Sequence, residues 1–401
     1  MQRHAVHGAK GTPVEVFAAF LKMGLTGFGG PVAHLGYFRD EFVTRRGWLS
    51  DAAYADLVAL CQFLPGPASS QVGFALGLMR AGWLGALAAF VAFTLPSALA
   101  IMGLALTAAS VSGVGFSGAV QGLKIVAVAI VAQAVWGMAR TLCPDGPRAA
   151  MAVGAVALLA VLPGWAGMAG AIFAGAVAGL WLGRGAARGA AADLAVPVSH
   201  GQAWLALAAF GVLLVGLPLL AGQWQGIAVL DGFYRAGALV FGGGHVVLPL
   251  LQAEVVAPGW ISADSFMAGY GAAQAMPGPL FSVAAYLGAV LGPSPNGLTG
   301  GMLALLGLFL PGFLILIAAL PFWSRLRADP RAQSALQGAN AAVVGILGAA
   351  LYDPVFSTAI HGLQDLALAL AGFVALTLFG ARPWLVVLAA AMAGWVLALL
   401  G

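Results

Sequence analysis

Apolar residues run along this chain in long stretches, divided by short polar, glycine-rich or proline-containing interruptions. The stretches fall at roughly 14–34, 51–62, 67–80, 82–108, 118–140, 149–163 and 165–183. One further stretch, 203–221, precedes a second series at 229–252, 263–275, 279–292, 297–322, 332–351, 357–379 and 383–400. A helix needs about 20 residues to cross a bilayer, so most of the stretches predict spanning helices. The pairs 51–62/67–80 and 263–275/279–292 are too short to cross singly. Each pair flanks a Pro-Gly-Pro sequence, one at Pro65, Gly66 and Pro67, the other at Pro277, Gly278 and Pro279. Either each pair is one broken helix, or it is a hairpin that enters and leaves on one side. The first stretch of each series is also interrupted, at Gly24–Gly30 and at Gly242–Gly244.

The two series are copies of one unit. Cys61-Gln-Phe-Leu-Pro-Gly-Pro-Ala-Ser-Ser70 matches Ala273-Gln-Ala-Met-Pro-Gly-Pro-Leu-Phe-Ser282, and Phe28-Gly-Gly-Pro matches Phe241-Gly-Gly-Gly. Arg46-Gly-Trp-Leu-Ser50 echoes Pro258-Gly-Trp-Ile-Ser262, Thr94-Leu-Pro-Ser matches Phe309-Leu-Pro-Gly, and Ala119-Val-Gln-Gly matches Ala335-Leu-Gln-Gly. The landmarks keep their order at an offset of 212 to 216 residues. Duplication with paired helix breaks is the pattern of a secondary transporter. The division read from it is a first repeat over 1–190, a linker with an extra spanning helix over 191–228, and a second repeat over 229–401.

Charge fixes the expected orientation. Lys and Arg collect on the cytoplasmic side of membrane proteins. Arg140 and Arg148, Arg184 and Arg188, Arg325, Arg327 and Arg331, and Arg382 all fall on one face if the stretch at 203–221 crosses once more. The connector around Glu254 and Asp264, which has no Lys or Arg, then falls outside. Each repeat makes an even number of crossings, so the extra segment turns the second repeat over. The predicted fold class is an all-α polytopic membrane protein: two homologous repeats in inverted topology, each with broken or re-entrant helices, joined by one extra transmembrane segment. Only 7% of residues are charged and 62% are hydrophobic, whereas a soluble domain carries about 25% charge. Two cysteines, Cys61 and Cys143, exclude a disulfide framework.

The breaks carry the candidate chemistry. Non-helical backbone at membrane depth survives only buried in protein or facing a polar cavity. Helix N-termini there present free N–H groups and a positive dipole end, which suits an anion. The candidate binding elements are the glycines Gly29, Gly30, Gly243 and Gly244, both Pro-Gly-Pro turns, and the first-turn hydroxyls of Ser69, Ser70 and Ser282. Gln62 and Gln274, three residues before each turn, are duplicated supports. Lys22 and Arg80 are the candidate balancing charges, although Arg80 can equally snorkel to the interface. His34, His245, Glu41, Glu254 and Lys124 are candidates for carrying protons or gating; Lys124 matches Asn340 in the other repeat.

On the segments Gly27-Phe-Gly-Gly-Pro-Val-Ala-His34, Glu41-Phe-Val-Thr-Arg-Arg-Gly-Trp-Leu49, Ala59-Leu-Cys-Gln-Phe-Leu-Pro-Gly-Pro67, Phe241-Gly-Gly-Gly-His-Val-Val-Leu-Pro249 and Tyr270-Gly-Ala-Ala-Gln-Ala-Met-Pro-Gly-Pro279, the sequence resembles the chromate ion transporter family in its long two-domain form. The resemblance spans both halves; Met276 stands where an aliphatic residue is usual. It implies chromate efflux across the bacterial inner membrane, chromate resistance, and an antiparallel arrangement of two homologous halves. Sulfate or another tetrahedral oxyanion is a further substrate it leaves open. The expected partners are the oxyanion and the lipid bilayer, with a homodimer as an open assembly and no nucleic acid. No cofactor or metal is expected. A membrane-embedded enzyme would need a nucleophile with its base, or metal ligands at a spacing such as His-Glu-x-x-His, and neither pattern occurs. An anion channel, or a transporter for a different small anion, is the alternative.

Overall fold

The computed structural model describes residues 11–108, 113–183, 194 and 196–400. The linker charges Arg184, Arg188 and Asp193, and the 190/191 repeat boundary, lie outside the described residues. The described chain is helical, with no strand. In the first half come α1 (Pro13–Thr26), α2 (Gly30–Phe38), α3 (Asp51–Phe63), α4 (Ala68–Ala108), α5 (Val114–Leu142), α6 (Gly146–Val161) and α7 (Trp165–Leu182). The linker helix α8 (His200–Ala221) follows. The second half contains α9 (Gln225–Ala238), α10 (Val247–Val255), α11 (Ala263–Ala273), α12 (Val283–Ala289), α13 (Gly297–Ala319) and the short α14 (Trp323–Ala328). It closes with α15 (Pro330–Ala350), one turn α16 (Ser357–Ala359), α17 (Leu363–Thr377) and α18 (Pro383–Leu400). Among the described residues, seven helical stretches, based on α4, α5, α7, α8, α13, α15 and α18, are long and apolar enough to cross a membrane.

The duplicated motifs make duplicated structure. Ser50 and Ser262 cap α3 and α11, their hydroxyls accepting from the N–H groups of Ala53 and Ser265. Gly47 and Gly259, three residues before the caps, both take positive φ, +60° and +78°. The interruptions at 27–29 and 239–246 separate α1 from α2 and α9 from α10, so each repeat opens with a helical hairpin. The long α4 is bent where Ala81 and Gly82 leave helical geometry, dividing it near residue 80 as the apolar pattern predicts.

The hairpins are held across the halves. The Gly66 N–H donates to the Val240 carbonyl at 2.7 Å, and the Gly278 N–H donates to the Gly27 carbonyl at 2.8 Å. These are one bond made twice, because Gly66 corresponds to Gly278 and Gly27 to Val240. Each Pro-Gly-Pro turn therefore docks on the other repeat's glycine break. Behind the turns, Gly66 lies against Gly312 and Gly278 against Ser97, again matched positions. Gln71 adds two donations from Nε2, to the carbonyls of Pro65 (2.9 Å) and Gly312 (2.8 Å). Around this joint, Phe20, Phe38, Phe42 and Phe93 pack as an aromatic cluster, Phe20 stacking on Phe42 at 4.7 Å. A buried ion pair between Asp56 of α3 and Arg327 of α14, 2.6 Å, ties the halves a second time.

Gly66 has φ +121°, and a Cβ there would sit 2.9 Å from both Gly312 Cα and Gln71 Nε2. Gly66→Ala is expected to destabilise the protein by roughly 1–3 kcal/mol through backbone strain alone. Gly103→Ala, in open space on α4, should leave stability within about 0.5 kcal/mol. Denaturation curves of the purified protein in detergent check the contrast; equal effects would contradict the docking.

Candidate functional site

A cavity of about 690 Å³ opens where the broken helices converge. The first repeat supplies Gly29, Pro31, Val32 and Leu35 from the α1–α2 hairpin, and Cys61, Gln62, Leu64, Gly66 and Ala68 from the first Pro-Gly-Pro region. The second supplies Gly242, Gly243, Gly244 and His245 from its own break, and Asn340 from α15. The remaining wall is the last three turns of α5: Gln133, Ala134, Gly137, Met138, Thr141 and Leu142. The glycine breaks of the two repeats meet here, since a Cβ on Gly244 would lie 3.2 Å from Pro31.

Among the described residues the lining contains no Lys, Arg, Asp or Glu. Its polar groups are neutral amides, a hydroxyl, an imidazole and backbone. Asn340 is buried at the wall, and its Oδ1 has no hydrogen-bond partner among the described residues. The amide nitrogen of the same side chain carries two N–H donors. Gln133 donates weakly to the Leu376 carbonyl (3.3 Å), Thr141 donates back to Gly137 (3.0 Å), and His245 Nδ1 pairs with the Tyr270 hydroxyl (2.9 Å). Such a surface can hold an anion through several dipoles without burying a permanent cation, which is costly in a membrane.

Of the candidates read from the sequence, Gly29, Gln62, Gly66, Gly243, Gly244 and His245 line this cavity, with Gly30, Pro65 and Pro67 beside them in the chain. Three expectations change. The N–H groups of Gly66 and Gly278 are committed to Val240 and Gly27, so they do not point free at a ligand. The serines Ser69, Ser70 and Ser282 are 3%, 2% and 2% exposed and lie outside the lining; Ser282 donates to the carbonyl of Pro279. Ser282 thus meets a local carbonyl before a ligand, whereas the Ser70 hydroxyl is buried with no hydrogen-bond partner among the described residues. The second turn, Pro277, Gly278 and Pro279, packs on α4 and does not reach the cavity, nor does Gln274.

The candidate charges also have protein partners. Lys22 pairs with Glu41 at 3.4 Å, Arg80 with Glu15 at 3.1 Å, and Lys124 with Asp264 at 2.7 Å. Arg80 also lies over the Trp48 ring. Glu41 receives Arg45 (2.9 Å) and Arg46 (2.7 Å) as well. Burial alone would raise its pKa, but these hydrogen bonds and the Lys22 charge outweigh it and hold it below the usual glutamate range. Arg235 reaches Glu254 at 2.8 Å. His34 is buried, its Nε2 bonded to the Gly27 carbonyl at 2.9 Å, so it braces the break rather than facing the cavity.

Gln133 and Thr141 were not singled out from the sequence, and Asn340 only as the partner position of Lys124. Each is one of several polar residues scattered along a mostly apolar helix, a signal that is legible but does not say which face it occupies.

The family described as "Chromate transporter" matches residues 14–180 and 227–395. The chromate transport protein of Pseudomonas aeruginosa is 30% identical over 400 residues, covering 95% of this chain and 91% of that protein. The probable chromate transport protein of Synechococcus elongatus is 28% identical, over 89% of this chain and 87% of its own length. The chromate transport protein of Cupriavidus metallidurans is 26% identical, over 90% and 86%. No solved structure matches the chain.

If the cavity holds the oxyanion, Asn340→Ala and Gln133→Ala should each weaken binding about ten- to a hundredfold, the loss of about 1.5–3 kcal/mol for a hydrogen bond to a charged ligand. Ser282→Ala should bind as wild type does. Equilibrium binding of chromate to the purified variants decides it; the opposite ranking would return the site to the serines.

Proposed function

This chain belongs to the chromate transporter family, and we propose that it moves chromate outward across the inner membrane through the cavity between its halves, by alternating access. The observation that carries this reading is the cavity itself, which joins breaks from both repeats around neutral donors. Outward movement of a dianion gains about 2.3 kcal/mol per charge per 100 mV of inside-negative potential. Other tetrahedral oxyanions, sulfate among them, meet the same donors and are expected to compete.

The cavity wall on α5 is its C-terminal end, next to Arg140 and Arg148. Basic residues mark the cytoplasmic side, so the cavity is read as open inward. The matched outer half is closed. There α11 packs on α5, with no room for a side chain between Gly271 and the Leu123 carbonyl, and Lys124 is paired with Asp264. In the other repeat the matched positions are Asn340 and Ala52, which cannot form an ion pair, and Gln62 and Asn340 face the open cavity instead. The Lys124–Asp264 pair thus serves as an outer latch without an inner counterpart. Outward opening requires α11 to leave α5 while α3 closes on α15.

Two outcomes follow for a Cys61- and Cys143-free background labelled with a membrane-impermeant thiol reagent. Thr44→Cys should label only from inside and Ala257→Cys, its matched position, only from outside; same-side labelling would refute the inverted repeat. Lys124→Gln should raise outside labelling of Gln121→Cys and lower inside labelling of Thr141→Cys. A shift of about fivefold is expected, since a pair with one well-exposed partner is worth about 1 kcal/mol. The exchange Lys124→Asp with Asp264→Lys should restore the wild-type pattern. Unchanged labelling in Lys124→Gln would remove the latch from the mechanism.

A further inference from the structure

We propose that Glu254 is a proton-binding site through which proton entry drives anion export, an inference that rests on the transport reading above. The two opening hairpins are clasped at equivalent places, and the clasps are not equivalent. In the first repeat Lys22 of α1 reaches Glu41, nineteen residues on; in the second Arg235 of α9 reaches Glu254 of α10, nineteen residues on. Glu41 has three cations around it. Among the described residues Glu254 has one, Arg235, which is shared with a second carboxylate, Asp231, at 3.0 Å on its own helix.

The surroundings do not balance that charge. Asp231 is 3% and Glu254 6% exposed, and each keeps one carboxylate oxygen, Oδ1 and Oε1, buried without a hydrogen-bond partner among the described residues. Of the elements packed against α9 and α10, α7 and α13 carry no charged side chain. Helix α8 has only His200, set against Phe322, α15 only Arg331 in its first turn, and α11 only Asp264, which is held by Lys124. His245, between the arms, is bonded to the Tyr270 hydroxyl, and the Tyr234 hydroxyl donates to Phe210. Trp165 of α7 lies under the Arg235 guanidinium at 5.4 Å. Two buried carboxylates against one guanidinium leave one negative charge, which a proton neutralises. Burial, with the Asp231 charge beside it, pushes Glu254 up to about 7 despite Arg235.

The geometry makes that proton a switch. With Glu254 ionised, Arg235 bridges α9 to α10, the two helices that flank the Gly242–Gly244 break at the cavity wall. With Glu254 protonated, Arg235 keeps Asp231, four residues back on α9, and the tie to α10 is undone. The proton therefore acts on the hairpin that carries the break. The Lys22–Glu41 clasp, with cations in excess, stays shut over the same pH range. A proton taken up from the outer face and released inside completes the exchange for an anion moving out.

The test uses the full chain in vesicles loaded with chromate, at a pH where chromate is fully deprotonated and with the membrane voltage clamped. Labelled chromate exchange and internal pH are followed together. Wild type should acidify the lumen as chromate leaves. Glu254→Gln should retain chromate exchange and lose the acidification, whereas Glu41→Gln should keep the wild-type ratio of protons to chromate. Asp231→Asn, which removes the competing charge, should shift the pH of half-maximal net efflux to lower values. Exchange without acidification in wild type, or an unchanged proton-to-chromate ratio in Glu254→Gln, would overturn the proton site and leave the transport reading standing. Absence of chromate exchange in folded wild type would overturn the transport reading, and the proton site with it.

Discussion

A polypeptide that breaks its helices within a bilayer must find partners for the backbone groups it frees, because water is not there to take them. In this protein the partners come from the other half of the chain. The Gly66 N–H takes the Val240 carbonyl, and the Gly278 N–H takes the Gly27 carbonyl. One reciprocal bond fixes where the hairpins sit, which glycines face each other, and where a cavity can exist. The positive φ of Gly66 and Gly278, the close approach of Gly312 and Ser97, and the Gln71 amide all serve that joint.

Function follows from departures from the symmetry. Both repeats have the same hairpins, caps and turns, yet the cavity takes its Pro-Gly-Pro lining from the first repeat alone. Lys124 faces Asp264 on one side, while Asn340 faces open space on the other. Glu41 is over-compensated and Glu254 under-compensated. A fully symmetric protein would populate its two open states equally. In the mechanism we propose, differences at matched positions bias which side opens and which clasp answers to protons.

Much of this was legible before any coordinates. The breaks, the duplication and the extra helix at 203–221 are written in the apolar pattern, and the Gly-Trp-Leu-Ser and Gly-Trp-Ile-Ser sequences announce the caps at Ser50 and Ser262. The clasp pairs were also within reach, since Lys22 and Arg235 keep the same spacing to Glu41 and Glu254. What the sequence could not convey is direction. Ser69, Ser70 and Ser282 stand in the right turns but point into packing, and Gln133 and Thr141 are inconspicuous on an apolar helix until α5 is known to wall the cavity. Contacts between halves, such as Lys124 with Asp264 or Asp56 with Arg327, depend on the docking and leave no local trace.

In the mechanism we propose, the oxyanion sits in the neutral cavity between the halves. Locating bound chromium directly, by anomalous scattering from crystals of the protein with chromate, tests it without reference to rates or variants. One chromium site is expected, bounded by Gln133, Asn340 and the Gly242–Gly244 break. Chromium bound instead beside Ser70 or Ser282, or against the Lys22 and Arg80 ion pairs, would contradict it.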